Sequence, residues 1–283
     1  MATESKPELS GFETRVNTDA GTRIRYFVGG EGPPVVLVHG LGGMASNWRL
    51  VAPALAAGRR VLVPELPGHG GSDRLPGAQS IDPFADAMLA VAEAESALPA
   101  PWVGHSLGGL VALRAAVTRP DAVSGIVLAA AAGISSASRV AEATVTVIGT
   151  LRPGRLAGRY RRRVSRSQLG RTLTFGWWGV ADPAALDPEM AEAFLAGPLE
   201  HTDTLTAGRA LVATDLRADL HRVTCPCLCL WGASDNWVPL QDGIEYARRL
   251  RAPLRTIAGC GHLLVGERAD VVTRAVREFV APL

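Results

Sequence analysis

The chain has 283 residues, 47% of them apolar and 20% charged, with a formal net charge of +2. That length suits one α/β domain with an insertion, able to take roughly three quarters of its unfolded surface out of water, so no disulfide or metal staple is needed. The apolar share excludes a disordered or collagen-like chain, and the near-balanced charge excludes a global attraction for nucleic acid or an anionic membrane, although the 29 basic residues are 28 arginines and Lys6 alone.

In chain order, Met1 to Pro7 has neither a basic n-region nor an apolar h-region, so no secretory signal is expected. Short apolar runs then recur, each ending in a glycine-rich turn. Val35 to Val38 leads into His39-Gly40-Leu41-Gly42-Gly43, and Val61 to Pro64 precedes Gly68-His69-Gly70-Gly71-Ser72. Asp82-Pro83 reads as a helix N-cap and first helical residue, with Phe84, Met88, Val91 and Glu95 following at helical spacing. Trp102-Val103 runs into Gly104-His105-Ser106-Leu107-Gly108, and a helix continues through Leu110, Val111, Arg114 and Ala115. Ile126 to Leu128, Cys227 to Trp231 and Leu254 to Ile257 complete the runs, and Ala269, Val272, Val276 and Val280 form a last apolar stripe. Continuous apolar runs suit strands buried on both faces, and their alternation with helices predicts a doubly wound, mostly parallel α/β sheet.

From about Gly133 to Thr224 the rhythm breaks. No strand is evident, and Gly149, Pro153, Gly154, Gly158, Gly170, Gly176 and Gly179 interrupt helix-like pieces. The expected organisation is a core of residues 1–132 and 225–283 with a helical lid, 133–224, inserted over the sheet. The lid region carries Arg152, Arg155, Arg159, Arg161, Arg162, Arg163, Arg166 and Arg171 with no carboxylate from Ala143 to Ala181, and six acids follow from Asp182 to Asp203. Arg152, Arg155, Arg159, Arg162 and Arg166 would form one helical stripe, which either pairs with those acids or attracts an anionic substrate tail or a carrier domain.

The most apolar stretch, Ala122 to Ile134, falls short of the ~20 residues that span a bilayer, so no membrane span is expected. Four cysteines in a chain this long imply no disulfide framework, and a reducing cytoplasm is the expected location. Cys225, Cys227 and Cys229 near His221 do not read as a metal site, because alternate residues of a strand stand ~6.6 Å apart on one face. Neither a phosphate-binding loop nor an HExxH pattern occurs, and no cofactor is implied.

Gly104-His105-Ser106-Leu107-Gly108 matches G-x-S-x-G between a strand and a helix. Glycine two residues either side of the serine removes clashes at a sharp, strained turn. The helix start adds free N–H groups and a positive dipole end. Here the chain resembles the α/β-hydrolase superfamily, over about Tyr26 to Phe279. By that resemblance the nucleophile is Ser106, the orienting acid is Asp235 in Trp231-Gly232-Ala233-Ser234-Asp235, and the base is His262 in Gly259-Cys260-Gly261-His262. The backbone N–H groups of Leu41 and Leu107 would form the oxyanion hole. His39 and His105 occupy motif positions where the family places structural or pocket-lining histidines, and His105, Trp177 and Trp178 are candidate substrate-binding residues. Glu65 stands where the family usually has Asp before Leu66-Pro67-Gly68-His69-Gly70, a change expected to affect the loop more than the chemistry.

The expected activity is cofactor-independent hydrolysis of an ester or thioester with an apolar acyl part. Serine at 106 disfavours haloalkane dehalogenase and epoxide hydrolase chemistry, which use aspartate there. Carbon–carbon bond hydrolysis, perhydrolysis, and a slow or non-hydrolytic member of the fold remain open alternatives.

Overall fold

Strands that are apolar on both faces need neighbours on each side and a helix layer above and below. The computed structural model, which describes residues 9–75, 77, 79–136, 154–177 and 179–283, meets that need with one eight-stranded sheet. Its strands are β1 (Glu13–Asp19), β2 (Thr22–Gly29), β3 (Pro34–Val38), β4 (Arg60–Pro64), β5 (Ala100–His105), β6 (Val123–Ala129), β7 (Cys227–Gly232) and β8 (Leu254–Ile257). Their order is β1-β2-β4-β3-β5-β6-β7-β8, antiparallel across β1, β2 and β4 and parallel from there on. The fold is that of an α/β hydrolase. All six apolar runs are strands; β1 and β2 are an addition, a hairpin of a polar β1 and a β2 whose buried Tyr26, Phe27 and Val28 follow two arginines.

Helices α1 (Ala52–Ala56), α2 (Asp82–Ala94) and α3 (Leu107–Thr118) connect the first strands. In α2, Phe84, Met88 and Val91 are buried as their spacing predicts. Asp82, however, is the first helical residue rather than the cap, and its carboxylate turns instead to Ser80 and Arg114. Glu95, the polar member of that stripe, is buried beneath Tyr26, whose hydroxyl donates to it at 2.7 Å, and pairs with Arg15 and Arg60.

Between β6 and β7 the described residues contain no strand. They form α4 (Gly154–Arg159), α5 (Arg161–Arg166), α6 (Gln168–Phe175), α7 (Pro188–Glu200) and α8 (Thr204–Ala213). The arginine stripe is not continuous: the helix breaks at Tyr160 between α4 and α5, and Arg152 lies outside the described residues. Arg161 and Arg162 both approach Glu192 on α7, at 3.6 and 3.4 Å. Arg171 is buried and spends its guanidinium on the carbonyl oxygens of Ser165, Pro183 and Ala184. A second small core, including Phe175, Met190 and Leu195, closes on Leu263 beside the sheet.

The chain ends with α9 (Leu240–Leu250), α10 (Leu264–Glu267) and α11 (Ala269–Val280). Val272, Val276 and Val280 of α11 are buried, which accounts for the last apolar stripe.

Candidate active site

The strand order reverses at β3, whose neighbours β4 and β5 follow it in turn on opposite sides. A crevice opens outside the carboxyl ends of the strands at such a switch point. The Gly40–Gly43 loop leaves β3 there, and Ser106 leaves β5.

Ser106 has φ +53° and ψ −116°, a conformation that costs an L-residue on the order of 1–3 kcal/mol. It persists because the turn is over-determined. Its N–H donates to Ala129 at 3.0 Å, and its carbonyl accepts from Gly109 at 3.0 Å and Ala132 at 3.1 Å. The two flanking glycines are needed for close approach: a Cβ at Gly104 would lie 2.3 Å from the Gly108 oxygen, and one at Gly108 would lie 2.2 Å from the Val38 oxygen. Gly40 packs against the same turn, its would-be Cβ 3.0 Å from Ser106 Cβ. Among the described residues no acceptor takes the N–H of Leu41 or of the fully buried Leu107.

Asp235 and His262 follow β7 and β8, adjacent parallel strands that bring their loops together. His262 Nδ1 lies 2.9 Å from Asp235 Oδ2. The other carboxylate oxygen accepts the N–H groups of Trp237 and Val238, both at 2.8 Å, so the loop's own backbone aims it. An ionised carboxylate only accepts, which puts the imidazole proton on Nδ1 and leaves the Nε2 lone pair outward. His105 is buried, and its Nε2–H donates to the carbonyl oxygen of His262 at 2.9 Å, with the two rings 5.0 Å apart. The geometry thus gives His105 a hold on the His262 loop. Trp177 is 65% exposed, and Trp178 lies outside the described residues.

His39, which the sequence placed in its motif, stands next to this site together with His69 and His201, to which sequence reasoning gave no role. The rings of His39, His69 and His201 form a row, with centroids 5.3 and 4.9 Å apart and successive planes tilted by 54° and 58°. Glu65, wholly buried, pairs with Arg25 and accepts the N–H of Gly71. These three histidines and His105 are each driven down to about 3, chiefly by burial. Unfolded, they would take a proton at about 6.5. Below pH 6.5 the unfolded chain therefore binds protons that the folded chain refuses, so stability is full above that pH and falls as pH drops toward 3. Urea midpoints measured from pH 7 to 4 should decline steeply, with the slope reporting uptake of several protons on unfolding; a flat profile would contradict it.

The Cys227 and Cys229 side chains are buried in β7, and among the described residues no group of histidine, cysteine or carboxylate side chains could hold a metal ion. Among those residues no helix is long and apolar enough to cross a membrane.

A family model described as alpha/beta hydrolase fold matches residues 33–269. The chain is 32% identical to the dihydrolipoyllysine-residue acetyltransferase component of an acetoin cleaving system of Pseudomonas putida, over 92% of this chain and 67% of that protein. It is 33% identical to a pimeloyl-[acyl-carrier protein] methyl ester esterase of Vibrio atlanticus, over 80% of this chain and 86% of the other. Identity to a 2-hydroxymuconate semialdehyde hydrolase of a Pseudomonas species is 31%, over 99% and 96%. Among solved structures, an esterase of Thermogutta terrifontis superposes with a TM-score of 0.77 at 24% identity, covering 95% of this chain and 98% of its own.

Proposed function

Because the chain belongs to the α/β-hydrolase family, we propose that it is a serine hydrolase that cleaves an ester or thioester with an apolar acyl part through an acyl-enzyme. The observation that carries this reading is the Asp235–His262 hydrogen bond at 2.9 Å, on a loop held by His105, the immediate neighbour of a serine in a strained turn. Ser106 Oγ attacks the carbonyl while His262 Nε2 takes its proton. Asp235 keeps the proton on Nδ1 and stabilises the imidazolium that forms. The N–H groups of Leu41 and Leu107, which lack acceptors among the described residues, receive the oxyanion. His262 returns the proton to the leaving group, and water repeats the cycle to release the acid. His105 keeps the His262 loop in register.

The helices between β6 and β7 act in this reading as a lid. The turns that follow α6 and α7 touch both halves of the site: Leu263 N–H donates to Gly179 at 2.8 Å, and His201 reaches Gly42. A fluorophosphonate probe tests the reading directly. It should label the chain on the peptide containing Ser106, identified by mass spectrometry; labelling elsewhere, or none, would overturn it.

The similarity to a carbon–carbon bond hydrolase along nearly its whole length favours a second reading on the same residues. Turnover of a vinylogous 1,5-diketone in preference to p-nitrophenyl and acyl-thioester substrates would select it.

The lid also bears on the substrate's far end. Arg155, Arg159, Arg163 and Arg166 are exposed, and no carboxylate pairs with them among the described residues. They suit an anionic substrate tail or an acidic carrier domain, and one relative is named for a carrier-protein substrate. Exposed charge pairs contribute ~0.2–1 kcal/mol each. Reversing Arg159 and Arg163 to glutamate should therefore raise KM for anionic esters about two- to tenfold, less at high salt, with neutral esters unaffected. An equal change for both substrate types would dispose of the idea.

A further inference from the structure

The Gly40–Gly43 loop contains three consecutive peptide planes, and each is held by one of the three neighbouring histidines. His39 Nδ1 donates to the Gly40 oxygen at 2.9 Å, on the plane whose other end is the Leu41 N–H. The Gly42 N–H donates to His69 Nε2 at 3.1 Å, fixing the next plane. His201 Nε2 donates to the Gly42 oxygen at 2.8 Å, fixing the third.

The second nitrogen of each ring is occupied as well. His39 Nε2 accepts from Leu66 N–H at 3.0 Å, His69 Nδ1 donates to the Pro67 oxygen at 3.0 Å, and His201 Nδ1 accepts from Gly70 N–H at 3.1 Å. Every ring thus has one donor and one acceptor nitrogen, each matched to backbone, which is the pattern of a neutral imidazole with a defined tautomer. Such rings cannot swing without leaving buried peptide groups unsatisfied.

His201 differs from the other two in where it comes from. It caps α7, in the segment between β6 and β7, and spans 159 residues to reach Gly42. The approach is close. A Cβ at Gly197, one turn earlier on α7, would stand 2.6 Å from both the Gly42 oxygen and His201 Nε2. Thr202 and Asp203 fasten the same stretch to Gly68 through two further N–H···O bonds, at 3.0 and 3.1 Å.

We propose that His201 is a positioning residue for the oxyanion loop: through the Gly42 carbonyl it locks the third plane, so that the helical segment anchors the loop on the far side of Leu41 while His39 holds the plane that carries the Leu41 N–H. The proposal rests on the serine-hydrolase reading above. Its physical content is preorganisation. Gly42 has φ +71° and, with Gly40 and Gly43 beside it, a loop of wide conformational freedom. An oxyanion donor contributes fully only if its direction is fixed before the charge develops.

The experiment compares His201→Gln with His201→Asn. Glutamine places an amide N–H near the position of Nε2 and can reach the Gly42 oxygen; asparagine retains only the contact to Gly70. With p-nitrophenyl butyrate, His201→Asn should lose about ten- to a hundredfold in kcat with KM within about twofold, a fraction of the loss on removing a donor outright. His201→Gln should recover most of that rate. Inhibition by butaneboronic acid, which forms a tetrahedral adduct, should weaken in His201→Asn in proportion to kcat. Circular dichroism and Tm confirm that both variants fold. If the two folded variants turn over equally, or lose Tm without losing kcat, His201 is only a structural contact and the proposal falls. If wild-type protein neither hydrolyses the ester nor takes the fluorophosphonate label, the hydrolase reading fails first and this proposal with it.

Discussion

Ser106→Ala is expected to lower kcat about a millionfold, to the level set by binding and the remaining backbone donors, and to abolish fluorophosphonate labelling. The size follows from what is lost: with no oxygen to attack, His262 and Asp235 have nothing to activate, and the three residues act as one unit. Stability separates the chemistry from the fold. Alanine keeps the strained φ of +53°, so Ser106→Ala should melt close to wild type. Ser106→Gly should be equally inactive yet more stable, because glycine relieves ~1–3 kcal/mol of strain against about 0.5–1 kcal/mol of added unfolded-chain entropy. The net gain corresponds to a rise in Tm of up to a few degrees. Residual turnover above a thousandth of wild type in either variant would remove Ser106 from the mechanism.

Asp235→Asn should cost about ten-thousandfold in kcat while leaving Tm nearly unchanged. The asparagine oxygen can still accept the N–H groups of Trp237 and Val238, so the loop has no reason to move. What changes is the group facing His262 Nδ1, where an acceptor becomes an amide donor. The imidazole answers by placing its proton on Nε2, and the base then presents a hydrogen to Ser106 instead of a lone pair. Asp235→Ala should lose kcat to a similar degree but also lose stability, since two backbone donors are left without their partner. A loss in Asp235→Asn of less than tenfold would mean that the hydrogen bond orients nothing the reaction needs.

The parallel part of the sheet was open to reading because strands covered on both faces must be apolar throughout. The β1–β2 hairpin was not: β1 contributes a single exposed valine, Val16, among polar residues, and in β2 the buried run Tyr26-Phe27-Val28 is short and follows Arg23 and Arg25. Ser106, Asp235 and His262 could be nominated from the sequence because each sits in a short local pattern in the expected chain order, and folding brings Asp235 and His262 within 2.9 Å. His39, His69 and His201 lie far apart along the chain, and only folding makes them neighbours. Nothing in a single histidine among glycines says which peptide plane it will hold. The arginine spacing misled for a local reason: a regular 3–4 repeat implies one helix only if the backbone stays helical, and Tyr160 interrupts it.

β1 closes one side of the sheet with Glu13, Arg15 and Asp19, and β8 closes the other with only four residues and an Arg255–Glu278 ion pair. Unpaired strand margins invite a second molecule to add its own strand, and charge or brevity at the margin discourages it. Both rims of this sheet are guarded in that way, so sheet-to-sheet polymerisation is opposed even when the chain is concentrated.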